Sequence, residues 1–284
     1  MSSMDTISIR QAQNKDTTDL AFFLNQARYV HRHLDWRSSL EWLGEPEFWI
    51  LEDEGKTQAV FACPPDPPLA AWVRLFASSA NINLDTAWYH LMSHALQQPK
   101  LQPPVTLAAI ALHDWFERLL IRQGWNIHQQ IITLSWNGNL PATQHQLSNA
   151  ILRPILPDDI PAVTRIDNLA FEPLWQLSEL GMKQAYEQSA FATLMEIEGQ
   201  IVAYQISTAT SFSAHLARLA VLPELHGKGI GYELVYDLLK HLNRLNIWTV
   251  TVNTQHDNHS SQALYQRLGF SSTGDQFPVL VYPY

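Results

Sequence analysis

The chain has 284 residues, of which 46% are hydrophobic and 16% charged, so general disorder is excluded and about two domains are expected. A net charge of −9 lacks the basic footprint of a protein that binds nucleic acid directly. There is no apolar run of about 18 residues, the length that crosses a membrane, and the start lacks the basic and apolar regions of a secretory signal. The single cysteine, Cys63, fits a reducing compartment, so we expect a cytoplasmic protein without membrane or direct nucleic-acid partners.

Two segments, residues 7–24 and 150–171, show the same local pattern. Each begins as a strand that carries an arginine, Arg10 or Arg153, then turns at acidic residues into a helical pattern. We expect the acidic residue of each turn to cap the helix that follows. The apolar positions of the second helix are Ile160, Val163, Ile166 and Leu169.

The correspondence between the two halves continues along the chain. Residues 48–63 and 191–207 each read as strand, acidic-Gly turn and strand, and residues 119–134 and 264–281 each read as helix end, glycine with aromatic, then strands. Four similar pieces in one order indicate a duplicated unit, although generic strand-turn patterns could also match by chance. We predict a mixed α/β (α+β) fold of two domains, 1–140 and 150–284, joined in the polar, turn-rich segment 135–150.

A glycine-rich loop distinguishes the second half. The sequence "LAVLPELHGKGIGYEL" (219–234) follows a strand candidate, 213–221, and precedes a helix. The apolar face of that helix is Leu234, Val235, Leu238, Leu239, Leu242 and Leu245. A helix N-terminus attracts anions, and glycines let a phosphate approach the backbone. The spacing is neither that of a P-loop nor that of a Rossmann fingerprint, and a simple tight turn is the alternative. The corresponding segment of the first half, 72–92, contains no glycine.

A second motif, "NHSSQALYQRLGF" (258–270), follows the glycine-rich loop further along the chain. Together the two motifs resemble the GNAT superfamily of N-acetyltransferases, whose loop pattern is Gln/Arg-x-x-Gly-x-Gly/Ala. His226 departs mildly from that pattern by taking the Gln/Arg position. The resemblance covers 150–284 and implies an acetyl-CoA-dependent N-acetyltransferase, in which a primary amine attacks the donor directly in a ternary complex. The first half would be a degenerate GNAT-like copy without the cofactor loop, with Leu120 in the place of Tyr265.

The resemblance also assigns roles to individual residues. Tyr265 would donate a proton to the departing CoA thiolate, which suits a phenol with a pKa near ~10. Asn258 would contact the pantetheine or the thioester, and Asn253 and Ser261 would also touch the cofactor. The strand expected along the pantetheine is Leu219, Ala220 and Val221. The loop expected around the pyrophosphate is His226, Gly227, Lys228, Gly229, Ile230, Gly231 and Tyr232.

The base that accepts the amine's proton is less sharply indicated. Relatives often place a Glu or His on the strand before the loop, and His215 falls there, with an unperturbed pKa of ~6.5. A polar strand-edge residue is the alternative interpretation of His215. Glu196 is the next candidate, because Glu198 fits the hairpin turn, while Thr251 stands where some protein N-terminal acetyltransferases carry an acid.

The acceptor cannot be named from the sequence, and a small-molecule amine or a protein N-terminus would fit. Phe171, Trp175 and Tyr186 lie where the resemblance places the acceptor pocket, although core packing would explain them equally. The short histidine spacings 31–33 and 256–259 lack further ligands, so no metal site is expected. The alternatives are a non-catalytic acyl-CoA-binding or scaffolding protein and an enzyme for a larger acyl-CoA. We expect a monomer, because two related halves can pair internally.

Overall fold

The computed structural model describes residues 7–141, 147 and 149–284. The first of two units ends at His128 and also holds Pro278–Tyr284, and the second is Gln129–Phe277. Residues 129–140 therefore group with the second unit, whereas the sequence suggested a first domain of 1–140. The reason is strand pairing: Trp136 lies opposite Val250 in the second unit. Residues 142–146 and 148 of the expected join lie outside the described residues.

The secondary structure of both units alternates helices and strands. The helices are α1 (Thr17–Gln26), α2 (Leu84–Ala95), α3 (Asp114–Arg122), α4 (Ile160–Ala170), α5 (Glu179–Glu187), α6 (Ile230–Arg244) and α7 (His259–Arg267). The strands of the first half are β1 (Ser8–Gln11), β2 (Tyr29–Arg32), β3 (Phe48–Asp53), β4 (Lys56–Ala62), β5 (Ala70–Trp72), β6 (Leu75–Ser78) and β7 (Thr106–Ile110). The others are β8 (Asn126–Trp136), β9 (Ala150–Pro154), β10 (Phe191–Ile197), β11 (Gln200–Ala209), β12 (Ser213–Val221), β13 (Thr249–Gln255) and β14 (Ser271–Val281).

The first unit contains an antiparallel sheet in the order β1-β3-β4-β6-β2. Strand β5 pairs in parallel with β7, which also pairs with the end of β14. Buried aromatic residues fill the core, among them Trp88, Phe61 and Phe76. Cys63 is fully buried at the end of β4, and burial raises the pKa of its thiol, as expected for a packed rather than reactive cysteine.

The second unit contains strands in the order β14-β8-β13-β12-β11-β10-β9. All the pairs with a described register are antiparallel except β12 with β13, which are parallel. Helix α4 packs on β11 and β12, and α6 packs on β10, β11 and β12. These sheets, mostly antiparallel and accompanied by helices, confirm the predicted mixed α/β fold.

An arginine clasp recurs in the two units with the same geometry. Arg10 donates to Asp16 at 2.8 Å and to Glu52 at 2.9 Å. In the second unit, Arg153 donates to Asp159 and Glu196, both at 2.6 Å. The sequence suggested that the two aspartates cap the helices that follow, but neither side chain does so. Each instead accepts the arginine and a backbone N–H three residues earlier.

The hairpin of each unit repeats an irregular feature as well. The pairing of β3 with β4 shifts register between Leu51 and Glu52, and that of β10 with β11 shifts between Met195 and Glu196. Both hairpin turns place a glutamate and then a glycine at positive φ: 49° and 75° in the first unit, 52° and 77° in the second. Left-handed glutamates are uncommon, so this shared detail supports duplication more strongly than strand order does.

Candidate active site

The parallel strands β12 and β13 separate along their length. Their pairing runs from Ser213 opposite Thr249 to Leu216 opposite Val252 and then ends, although both strands continue. Strand β12 remains paired with β11 as far as Val221. We call the gap beside residues 217–221 the β12–β13 opening. One edge of the predicted pantetheine strand, residues 219–221, therefore has no strand partner there.

A bulge marks the start of this opening. Arg218 lies opposite Ile206 and Leu216 lies opposite Ser207, so Ala217 is an extra residue in β12. Because paired residues share a face of the sheet, the bulge brings His215 and Arg218 to the same face, that of α4. Leu216 belongs instead to the buried cluster on the α6 side. The bulge therefore turns two polar side chains toward one side of the opening.

The glycine loop leads from β12 into helix α6. Gly227 and Gly229 have φ of +77° and +85°, the left-handed region that favours glycine. A Cβ built at Gly227 would meet nothing within 4 Å, so open space lies beside this backbone. Gly229 is the N-cap of α6 and has no side chain to accept the first-turn N–H groups. The N-terminus of this 15-residue helix is thus left available to an anion.

The other predicted loop residues have different surroundings. His226 shares a hydrogen bond of 2.9 Å between its Nε2 and the carbonyl oxygen of Val221. Lys228 is exposed at the surface of the loop. A Cβ at Gly231 would lie 3.3 Å from the Leu264 side chain, so this glycine allows α6 to approach α7 closely. The predicted apolar face of α6 is buried from Leu234 to Leu242, whereas Leu245 is exposed beyond the helix end.

Helix α7 carries the second motif. Asn258 is its N-cap, with Oδ1 accepting the Ser261 N–H at 3.0 Å. Tyr265 is 4% exposed, belongs to the same buried cluster as Leu216 and Val252, and packs its ring against Phe270. Burial raises the pKa of Tyr265, so its phenol stays protonated at neutral pH. A protonated phenol on the α6 side of the sheet has the form that a proton donor needs.

His215 lies on the other face, one residue before β12 and β13 separate. Its Nδ1 shares a 2.8 Å hydrogen bond with Thr251 Oγ1, and burial lowers its pKa below the ordinary 6.5. Nε2 has no hydrogen-bond partner within the described part of the chain. A neutral imidazole with one nitrogen held and the other free is arranged as a base. On the same face, Asn253 Oδ1 accepts from Thr133 at 2.9 Å.

Glu196, the second candidate for the base, lies in an ion pair. Its carboxylate accepts two hydrogen bonds from Arg153, in the clasp that the first unit repeats with Glu52. Both hydrogen bonds end on the same carboxylate oxygen, Oε1, so the side chain is fixed within the clasp. The geometry therefore favours a structural role for Glu196 and leaves His215 as the better placed base.

A buried cluster that the sequence reasoning missed lies beside His215. Asp167 on α4 is fully buried and accepts hydrogen bonds from Arg218 at 2.7 and 2.9 Å and from the Tyr204 hydroxyl at 2.5 Å. The signal in the sequence was Asp167 itself, which stands on the core-facing stripe of α4. Leu169, predicted for that stripe, is 62% exposed.

The predicted acceptor aromatics are only partly brought together. Phe171 lies under the Arg218 guanidinium, 4.0 Å from its carbon to the ring centre. Trp175 donates from its indole Nε1 to Gln129 Oε1 at 2.9 Å. Gln129 lies four residues before Thr133 on β8, so the two side chains point to the same face of the sheet. Phe171 and Trp175 therefore both lie on the His215 face. Tyr186 is partly buried on α5, and no contact described for its ring joins it to the other two.

Two further features bear on the type of site. Among the described residues, no group of three His, Cys, Asp or Glu side chains is arranged to hold a metal ion. His31 is fully buried, with Nε2 on the Val73 carbonyl oxygen, and burial lowers its pKa to about 3. None of the helices in the described ranges is long and apolar enough to cross a membrane.

Comparison with known proteins supports the identification from the site. Residues 160–270 match the model of the acetyltransferase (GNAT) family. No curated protein sequence matches the chain. Many solved structures share its fold. A tandem GNAT protein from the clavulanic acid biosynthesis pathway is 15% identical and has a TM-score of 0.64, covering 97% of this chain and 98% of that one.

Two bacterial structures are similar over nearly the whole chain. A GCN5-related N-acetyltransferase from Anabaena variabilis is 13% identical with a TM-score of 0.72, covering 97% of this chain and 72% of that one. A GCN5-related N-acetyltransferase from Sphaerobacter thermophilus is 14% identical with a TM-score of 0.62, covering 99% and 96%. At these identities the structural likeness shows the fold, while the family match concerns residues 160–270 of the sequence itself. Residues 160–270 therefore match a GNAT acetyltransferase domain, the domain of an acyltransferase.

Proposed function

We propose that the second unit transfers the acetyl group of acetyl-CoA to a primary amine by direct attack in a ternary complex. The observation that carries the proposal is the β12–β13 opening. It begins beside His215 on one face and the Tyr265 cluster on the other, and β12 leads through the glycine loop to the N-terminus of α6, where Gly229 offers no side-chain cap. An acceptor and a leaving thiolate could thus be served from opposite faces.

The residues present fit a CoA-type donor. The left-handed Gly227 and Gly229 and the first turn of α6 would hold the pyrophosphate, with exposed Lys228 adding positive charge. The backbone of Leu219, Ala220 and Val221 would pair with the pantetheine. Asn253, Asn258 and Ser261 would also contact the cofactor. Acetyl-CoA would supply an activated thioester to this site.

The protein's own part in the reaction is proton transfer and positioning. Neutral His215 would accept the proton that the amine loses, directly or through water, with Thr251 holding the ring. Tyr265 would give its phenolic proton to the departing sulfur, because burial keeps the phenol protonated at neutral pH and therefore available as a donor. Phe171 and Trp175 would border the acceptor, a small-molecule amine or a protein N-terminus.

The first unit would be a degenerate copy that binds no donor. Its α2 N-terminus is capped internally, because Asn83 Oδ1 accepts the Thr86 N–H at 3.1 Å. The backbone carbonyl of Leu120 accepts the Trp125 N–H at 3.0 Å, just as the carbonyl of Tyr265 accepts the Phe270 N–H at 3.0 Å. Leu120 is thus the counterpart of Tyr265, and a leucine stands in the place of the proposed acid. A cytoplasmic location and a monomeric state remain part of the same proposal.

Turnover with defined amines tests this function. Purified protein is incubated with acetyl-CoA and, separately, spermidine, glucosamine, L-lysine and an alanine-initiated hexapeptide, and CoA release is followed with a thiol reagent. We expect release above the amine-free rate with at least one amine, together with an acetylated product of the expected mass. Tight donor binding without turnover on any amine would favour the alternative of an acyl-CoA-binding scaffold.

A further inference from the structure

A buried ion pair between Arg218 and Asp167 ties the loop between α4 and α5 to the sheet. Arg218 Nη2 donates to the carbonyl oxygen of Trp175, and Asp167 Oδ1 accepts the N–H of Leu177 at 2.8 Å. Phe171, at the start of the loop, packs under the guanidinium. One arginine and one aspartate therefore hold three separate points of residues 171–177.

This loop spans the β12–β13 opening. Its Trp175 carbonyl is fixed to Arg218 on β12, while the Trp175 indole is fixed to Gln129 on β8. Strand β13 lies between β12 and β8 in the sheet and its last paired residue, Gln255, lies opposite Ile131, so Trp175 reaches from β12 to β8 near the end of β13. Arg218 also follows the bulge residue Ala217, where the two strands separate. The anchor of the loop and the start of the opening are thus adjacent in the chain.

We propose that Arg218 and Asp167 are positioning residues for the acceptor, since together they fix residues 171–177 over the His215 side of the β12–β13 opening. This inference rests on the proposed function of the second unit. Although Arg218 directly precedes the strand proposed for the pantetheine, its side chain contacts α4 and residues 171–175 rather than the glycine loop before α6, so donor binding should depend on it far less than acceptor binding. Tyr204 supports the pair from β11 through its bond to Asp167.

The geometry requires arginine in particular. Arg218 makes two parallel bonds to Asp167, a third to a carbonyl, and a stacking contact with an aromatic ring. Lysine keeps the charge but has neither the planar fork nor the stacking face. An Arg218→Lys variant should therefore fold while losing part of the loop's attachment.

The test combines kinetics with hydrogen exchange on Arg218→Lys. With whichever amine of the four named above the wild type acetylates fastest, we expect the amine KM to rise about tenfold. The acetyl-CoA KM should stay within about twofold of wild type, because the donor loop is untouched. Exchange at the Leu177 amide should become at least about tenfold faster, with α6 amides unchanged. Tyr204→Phe, which keeps the ion pair, should move the same quantities in the same direction by less.

Arg10→Lys is the matched control, since it changes an arginine clasp of similar form in the first unit and should leave both KM values and Leu177 exchange alone. An unchanged amine KM in Arg218→Lys despite faster Leu177 exchange would overturn the inference, as would an equal rise in both KM values. Unchanged Leu177 exchange would overturn it independently of turnover. If the wild type acetylates none of the four amines, the proposed function fails, while Leu177 exchange still decides whether the pair holds the loop.

Discussion

Replacing Tyr265 by phenylalanine is expected to lower kcat by about 10²- to 10³-fold. The phenol is buried on the α6 side of the β12–β13 opening, and burial raises its pKa, so it is present as the protonated donor throughout neutral pH. Phenylalanine preserves the ring packing against Phe270 and removes only the hydroxyl group that carries the proton. Because the donor loop is unaffected, the Kd for acetyl-CoA should change less than about threefold.

Steady-state kinetics and calorimetric titration on the same preparation measure the two quantities. Tyr236→Phe is the control, because it removes another phenol hydroxyl from the second unit, on a partly buried ring that stacks with Tyr232 at the edge of the same cluster. We expect it to retain most of the activity. A Tyr265→Phe enzyme with wild-type kcat would show that the thiolate leaves without help from this residue.

Replacing His215 by glutamine is expected to lower kcat/KM for the amine by about 10²-fold and to change the pH profile. Burial lowers the pKa of His215 below 6.5, so the imidazole is neutral at pH 7 and becomes protonated only in more acidic solution. Wild-type kcat should therefore fall as pH decreases through a value below 6.5. Glutamine can still bond to Thr251 but cannot accept a proton at any of these pH values, so the acid limb should disappear.

The pH dependence of kcat between pH 5 and 9 checks this prediction, with Glu196→Gln as the comparison. Glu196 is held by Arg153 in the repeated clasp, so its amide variant should lose far less activity than His215→Gln and should keep the acid limb. The opposite ranking would make Glu196 the base. It would also mean that the clasp opens during the reaction.

The parts of the site that the sequence predicted are local in the chain. The strand Ser213–Val221, the left-handed glycines and the α6 helix follow one another within about thirty residues, and each has its own signal in glycine placement or apolar periodicity. The correspondence between the sequences of the two halves was also visible, because hairpin turns and helix ends have distinctive residues. The arginine clasp supports this correspondence further, but the sequence showed only the shared arginines, Arg10 and Arg153, and not their carboxylate partners.

The parts that were missed depend on contacts between distant residues. Asp167 and Arg218 are 51 positions apart, and only the bulge at Ala217 brings Arg218 to the face of α4. A bulge inserts one residue without a sequence signal of its own, so the alternation in "SAHLARLAV" assigned no face to the arginine. The ion pair of Glu196 was missed for the same reason, because its partner Arg153 lies 43 positions away on a neighbouring strand.

Calorimetric titration with acetyl-CoA tests the central claim most directly, by comparing wild type with Gly227→Glu and Gly199→Glu. Both glycines have φ of +77° and open space where a Cβ would stand, so the two substitutions impose similar backbone strain. Only Gly227 lies in the loop before α6. We predict a Kd of about micromolar size for wild type and for Gly199→Glu, and at least about a hundredfold weakening for Gly227→Glu, whose carboxylate would repel the pyrophosphate. A folded wild type that does not bind, or a Gly227→Glu variant that binds equally well, would contradict the assignment of this loop as the donor site.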